Sequence, residues 1–204
     1  MNMQEYEKIQ NLNYLEYCDY LVDKYGIGRA DYMDKNYVYN IKSSRTLEGL
    51  IAHHKYEDHA VMLSVKRFAE RKPFEWQLAE NLIYCDYLEH LFLHILICEN
   101  PPKDLHFLIA GSVGIGGILN YIVPQLNDLF SGWIPEAKKN LWMQRCFDRV
   151  KEEKDVYFVL LKRFKTTCKK NAYYTKNCLC QGFNGEGNWP RTKDKEIFNE
   201  IKQL

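Results

Sequence analysis

The chain has 204 residues, 46% of them hydrophobic and 27% charged, and a net charge of only +1. Those fractions exclude disorder throughout and suit one full globular domain, or a small domain with extensions. Seven cysteines at spacings that suggest no disulfide framework, and an opening segment (MNMQEYEKIQ) without a basic stretch leading into an apolar core, point to a reducing, cytoplasmic compartment.

Tyr6 to Tyr25 has apolar residues at helical spacing and stops at Gly26-Ile27-Gly28, which suits a C-terminal cap. Leu47 to His54 (LEGLIAHH) and the short run Leu82 to Tyr84 read as two strands separated by a long excursion. Cys85 to Cys98 (CDYLEHLFLHILIC) contains neither Gly nor Pro and runs into Glu99-Asn100-Pro101-Pro102, so it is predicted as a helix ended by proline. Leu105 to Asn127 carries no acidic or basic side chain, but Gly111, Gly114, Gly116, Gly117, Asn120 and Pro124 favour a buried segment over a membrane span. Its glycine run, GSVGIGG, lacks the order and context of a dinucleotide fingerprint, so it is read as tight backbone packing, with neither a dinucleotide cofactor nor a membrane as partner. Helical spacing extends from Glu136 to about Cys168; Gln181 to Pro190 is a Gly- and Asn-rich loop, and Lys193 to Gln203 a last helix. The fold class expected is α+β, mainly helical with one small ββα module. The chain divides into a helical extension (1–46), the module (47–100) and a helical, partly basic region packed on it (101–204).

Five of the six histidines lie between positions 53 and 94. On the predicted helix, His90 and His94 are four apart and share a face, so both can turn a nitrogen toward one ion. Asp86, one turn earlier, is placed to orient an imidazole. His53 and His54 are neighbours on a strand, where adjacent side chains point to opposite sides, so one can ligate while the other stays free. His59 and His106 fall outside this pattern. Glu57 and Asp58 read as a solvated turn, with Asp58 close enough in sequence to orient His54. Cys178-x-Cys180 and Cys168 lack a clear fourth ligand and are read as free thiols.

The order strand, loop, strand, helix with these residues resembles the HNH (ββα-metal, His-Me finger) nuclease superfamily, in its three-histidine, colicin-like form. The resemblance covers Leu47 to Cys98. It rests on His53-His54, on Asn81-Leu82, on His90 nine residues after Asn81, and on His94 four further on. It implies His53, His90 and His94 as metal ligands, His54 as general base, and Asn81 as a residue that fixes the loop or joins the metal shell. Two departures stand out: the interval from Glu57 to Glu80 is longer than in compact members, and Leu88 stands where a partner for Cys85 would complete a structural zinc site. The cofactor implied is one divalent ion. Zn²⁺ or Ni²⁺ suits three imidazoles, Mn²⁺ is a further candidate, and Mg²⁺, which prefers oxygen ligands, fits only if Asn81 and water replace some of them.

Charge is unevenly spread. Residues 138–176 hold 12 Lys and Arg against 4 Asp and Glu, an excess of eight within a chain of net +1. Lys162, Arg163, Lys165, Lys169 and Lys170, with Tyr173 and Tyr174 among the basic residues, are expected to meet nucleic-acid phosphates; the competing reading is a solvated face of an amphipathic helix. The function expected is metal-dependent hydrolysis of phosphodiester bonds, with double-stranded DNA favoured by the resemblance. The alternative is a non-catalytic, metal-stabilised module of phage or mobile-element origin that binds nucleic acid or protein. Abundant Lys, Asn, Tyr and Ile suggest an AT-rich coding genome, hence a bacterium or its phage.

Overall fold

The computed structural model describes residues 1–102, 113–133, 141–169, 174–175, 177–182 and 194–204. Lys170, with Lys138, Lys139, Tyr173, Lys176, His106 and Gly111, lies outside the described residues, as does most of the expected loop before the last helix.

The N-terminal helix is two helices, α1 (Met3–Ile9) and α2 (Tyr14–Tyr25). Asn13 explains the break: its side chain accepts from the Glu16 amide at 3.1 Å while the Glu16 carboxylate accepts from its own amide at 2.8 Å, a reciprocal cap that starts a helix. Gly26 ends α2 at φ +80°.

The first strand, β1 (Ile51–His54), is shorter than expected, because Thr46–Glu48 coils into a 3₁₀ turn that Gly49 closes in the left-handed region. A 3₁₀ turn over Lys55–Asp58 follows at once, then a single-turn helix, α3 (Lys66–Ala69), and two more 3₁₀ turns. The chain returns as β2 (Leu82–Cys85), antiparallel to β1 with His53 opposite Ile83 and His54 opposite Leu82.

Helix α4 (Tyr87–Glu99) begins two residues later than predicted, since Cys85 belongs to β2 and Asp86 is the N-cap. The Asp86 carboxylate accepts from the Glu89 amide at 2.8 Å and from the Met1 ammonium. It therefore caps a helix and does not orient an imidazole. From Tyr87 to Ile97 every residue of α4 but His90 is buried, the signature of a helix apolar all round that serves as a core element. The aliphatic and phenylalanine side chains among these (Leu88, Leu91, Phe92, Leu93, Ile95, Leu96 and Ile97) are at most 2% exposed, and each contributes about 1.5–3 kcal/mol of burial energy.

Other helices are laid around α4. A short helix α5 (Ile115–Gly117), a π turn (Ile118–Ile122) and α6 (Val123–Phe130) form one continuous run beside it. The expected long basic helix is two, α7 (Leu141–Asp148) and α8 (Lys154–Cys168). Five consecutive charged residues, Lys151 to Asp155, interrupt the apolar stripe there, and Val150 is fully buried in the turn between. The last helix, α9, spans Asp194–Gln203. Among the described residues the protein is thus mainly helical α+β with one two-stranded sheet. Among the described residues no helix is long and apolar enough to cross a membrane.

Candidate metal centre

β1 ends, and its 3₁₀ turn begins, against one face of α4. His53 comes from the strand, Glu57 from the turn, and His90 and His94 from successive turns of the helix. Each of the four offers a ligand atom within 4.8 Å of all the others. His90 Nε2 lies 3.2 Å from His94 Nε2, His94 Nε2 lies 3.3 Å from Glu57 Oε2, and His53 Nδ1 lies 3.5 Å from the same oxygen. Ligands about 2.0–2.1 Å from a tetrahedral ion stand roughly 3.3 Å apart, so these separations are the edges of such a site.

The hydrogen bonds behind the ligands assign the tautomers. Tyr14 Oη donates its only proton to the Lys55 carbonyl at 2.8 Å, so its 2.9 Å contact with His53 Nε2 is one in which the imidazole donates. That leaves the lone pair of His53 on Nδ1, which is buried and has no hydrogen-bond partner. His94 Nδ1 donates to the Gly114 carbonyl at 3.1 Å, leaving its lone pair on Nε2, toward His90. A metal-bound histidine is held in this way, one nitrogen on the ion and the other N–H on a hydroxyl or carbonyl behind it.

The electrostatics agree. Burial pushes His53 down to about 3 and His90 well below the usual imidazole value, so both rings are neutral and able to donate lone pairs. Among the described residues no lysine or arginine pairs with Glu57. A buried carboxylate among neutral imidazoles, next to an orphaned ring nitrogen, is a donor set that fits a divalent cation.

Comparison with protein-family models, curated proteins and solved structures gives no match. What the centre does has to follow from its own geometry.

His54 points away from His53, as the strand pleat requires, and is 1% exposed. Its Nε2 faces Gln77 Oε1 at 3.3 Å, and Gln77 Nε2 in turn donates to the Leu63 carbonyl at 3.2 Å. The ring packs edge-on against Tyr32, 4.5 Å between centroids. Its other nitrogen, Nδ1, is buried without a hydrogen-bond partner and lies 3.4 Å from Glu57 Oε1. The two histidines leave the strand on opposite sides, yet the following turn brings one carboxylate back between them.

Several residues stand elsewhere than expected. Glu57 belongs to the centre and not to a solvated turn; its spacing from His53, four residues, is the one that pairs His90 with His94. Asp58 pairs with His59 at 2.7 Å and does not orient His54. Of the two places the resemblance implies for Asn81, it is not in the four-residue group, and its side-chain amide donates to the Glu75 carbonyl at 2.8 Å, in the loop before β2. Tyr14, Gln77 and Gly114, which hold the imidazoles, carry no motif of their own. On α8, Arg163 is consumed internally: Nε and Nη2 each donate to the Glu99 carboxylate at 2.7 Å, Nη1 donates to the Gln10 carbonyl at 2.6 Å, and the guanidinium covers the Phe92 ring. It fastens α8 to α4 and is not a free cation for phosphate. Lys162 and Lys169 are exposed and Lys165 is half-buried.

Proposed function

We propose that the chain is a divalent-metal-dependent phosphodiesterase of the ββα-metal (HNH) kind, acting on nucleic acid and in the first place on double-stranded DNA. One observation supports this reading: in a strand-strand-helix order, His53, His90 and His94 each offer a ring nitrogen to one group with Glu57, while the neighbouring His54 is not a member of that group. His53, His90 and His94 hold the ion, which would polarise a non-bridging phosphate oxygen and stabilise charge on the leaving O3′. His54 is the base that takes a proton from the attacking water.

Glu57 occupies the ground between these parts. One of its oxygens is 3.3 Å from His94 Nε2 and the other 3.4 Å from His54 Nδ1. A phosphodiester has the same two-oxygen reach. Displacement of the Glu57 side chain by substrate would set one phosphate oxygen among the ligands and leave the water beside the freed Nδ1 of His54. Lys162, Lys165 and Lys169 on α8 are the cations proposed to meet phosphates. Reversing all three to Glu should weaken DNA binding alike for all sequences and flatten its salt dependence by about 0.9 for each phosphate that is no longer neutralised.

A second reading is favoured by the same carboxylate. With Glu57 the group reaches four protein donors, the number that closes a purely structural site, and His53 and His94 are buried. The chain would then be a metal-stapled binding module. Plasmid relaxation assayed with Mg²⁺, Mn²⁺, Ni²⁺ and Zn²⁺ separately, against a chelator control, decides between them: nicking that appears with metal and vanishes with chelator is the expected result, and protein that binds metal stoichiometrically without cutting under any of the four supports the structural site.

A further inference from the structure

The glycine run before α6 has no part in the resemblance and reads in the sequence as packing alone. In the fold its described glycines Gly114 and Gly117 lie against His94. Gly114 has φ +75° and ψ −59°, with the Ile115 amide bonded to the Val113 carbonyl at 2.8 Å, a three-residue γ-turn of the rare positive-φ hand. A Cβ at Gly114 would sit 2.8 Å from the His94 carbonyl oxygen and 2.8 Å from Cys98 Sγ. The turn aims the Gly114 carbonyl at His94 Nδ1, 3.1 Å away.

Three residues on, Gly117 has φ −63° and ψ −44°, helical values that any residue adopts. Backbone freedom is therefore not why glycine stands there. A Cβ at Gly117 would lie 2.5 Å from His94 Cε1, 2.8 Å from Nδ1 and 3.3 Å from Nε2, closer to the imidazole than a Cβ can stand. At its neighbour Gly116 a Cβ would meet nothing nearer than Asn120 Nδ2 at 3.9 Å. Of two adjacent glycines on one helical turn, one leaves space that nothing uses and the other leaves the space the ligand fills. A π turn, Ile118–Ile122, begins directly after them, a distortion frequent at functional sites.

We propose that the Gly114–Gly117 segment is the positioning device for the His94 ligand: the Gly114 carbonyl selects the tautomer that presents Nε2 to the metal, and the bare Cα of Gly117 lets the ring lie at the depth where Nε2 meets His90 and Glu57. This rests on the reading of the histidine cluster as a metal centre. A methyl group at Gly117 has to push the ring outward by about 1 Å to restore ordinary carbon contacts, more than a preorganised ligand shell tolerates.

The test compares Gly117→Ala with Gly116→Ala in the full chain. Zn²⁺ affinity is read by chelator competition, and ligand geometry by the visible absorption of bound Co²⁺. Gly117→Ala should lose roughly 10- to 100-fold in Zn²⁺ affinity, the scale of a misplaced supporting group, and weaken or shift the Co²⁺ band, while Gly116→Ala matches the parent in both. A Gly117→Ala protein with parental affinity and spectrum overturns the proposal, as does an equal loss in Gly116→Ala. The stability of the metal-free proteins covers the case in which Gly117→Ala folds poorly. Once His94→Ala removes the ring, adding Gly117→Ala should cost no further stability, so the pair is strongly non-additive. Additive effects would mean that Gly117 makes room for something other than His94. Parent protein that binds neither Zn²⁺ nor Co²⁺ would instead sink the metal reading itself, together with the inference built on it.

Discussion

The two sides of the centre are built differently. On the helix side, His90 and His94 sit on a core helix whose every other residue from Tyr87 to Ile97 is buried, and His94 is pinned from behind by the Gly114 carbonyl. On the strand side, His53, His54 and Glu57 lie within five residues, at the end of a four-residue strand and in the 3₁₀ turn that follows. Rigid secondary structure fixes a ligand to within a fraction of an ångström, whereas a short turn lets a partly buried side chain such as that of Glu57 exchange its partners. A catalytic metal site needs both: fixed donors, and one position that opens to substrate.

The largest effects come from removing fixed donors. His94→Ala or His53→Ala should abolish stoichiometric metal binding and cleavage together, because two imidazoles and a carboxylate no longer close the shell. Metal analysis of the purified protein checks this, and unchanged stoichiometry in either variant would show that the ion sits elsewhere. His54→Ala should keep metal and DNA affinity while losing roughly two to four orders of magnitude in cleavage, the scale for a positioned base. The contrast between neighbours tests the role split: a His54→Ala protein that sheds the ion would place His54 among the ligands.

Tyr14→Phe sharpens the comparison one layer out. It strips the acceptor from His53 Nε2 and leaves that buried N–H unpaired, without touching the helix side. Metal affinity should fall by roughly 10- to 100-fold, as for other groups that orient a ligating imidazole. Equal affinities in Tyr14→Phe and the parent, by the same chelator competition, would mean that the strand holds the His53 ring unaided.

Which parts of this were legible in the sequence follows from the range over which each signal acts. The module showed itself because its signals are local: an apolar run stopped by paired prolines, two histidines four apart, and an adjacent pair on a strand. The break at Asn13 was also written locally, in Asn13 and Glu16, but the apolar spacing runs on through it and masks it. Glu57 was hidden because a glutamate beside Asp58 in a polar stretch has the composition of a solvated turn, and only the return of the chain against α4 buries it. Arg163 and Lys162 are equivalent cations in sequence; Glu99, 64 residues away, makes one of them structural. The seat under His94 is legible only in the fold, since the approach that excludes a Cβ at Gly117 spans two helices.

The smallest effect, and the one that bears most on function, is expected from Glu57→Gln. The substitution keeps the size and reach of the side chain and removes its charge. If Glu57 only occupies the position that a phosphate takes during reaction, its loss weakens metal binding by no more than about tenfold, because the three imidazoles remain. Cleavage at saturating metal then stays within roughly tenfold of the parent or rises, since substrate no longer competes with an anionic side chain for the open position. A structural centre behaves in the opposite way: there the carboxylate is one of four obligatory donors, and replacing it should release the ion and lower the unfolding temperature together. A third outcome is informative as well. Cleavage that collapses while metal affinity holds would move the base from His54 to Glu57, which lies 3.4 Å from it. Parallel titrations of metal affinity, thermal stability and plasmid nicking on this one variant separate the three.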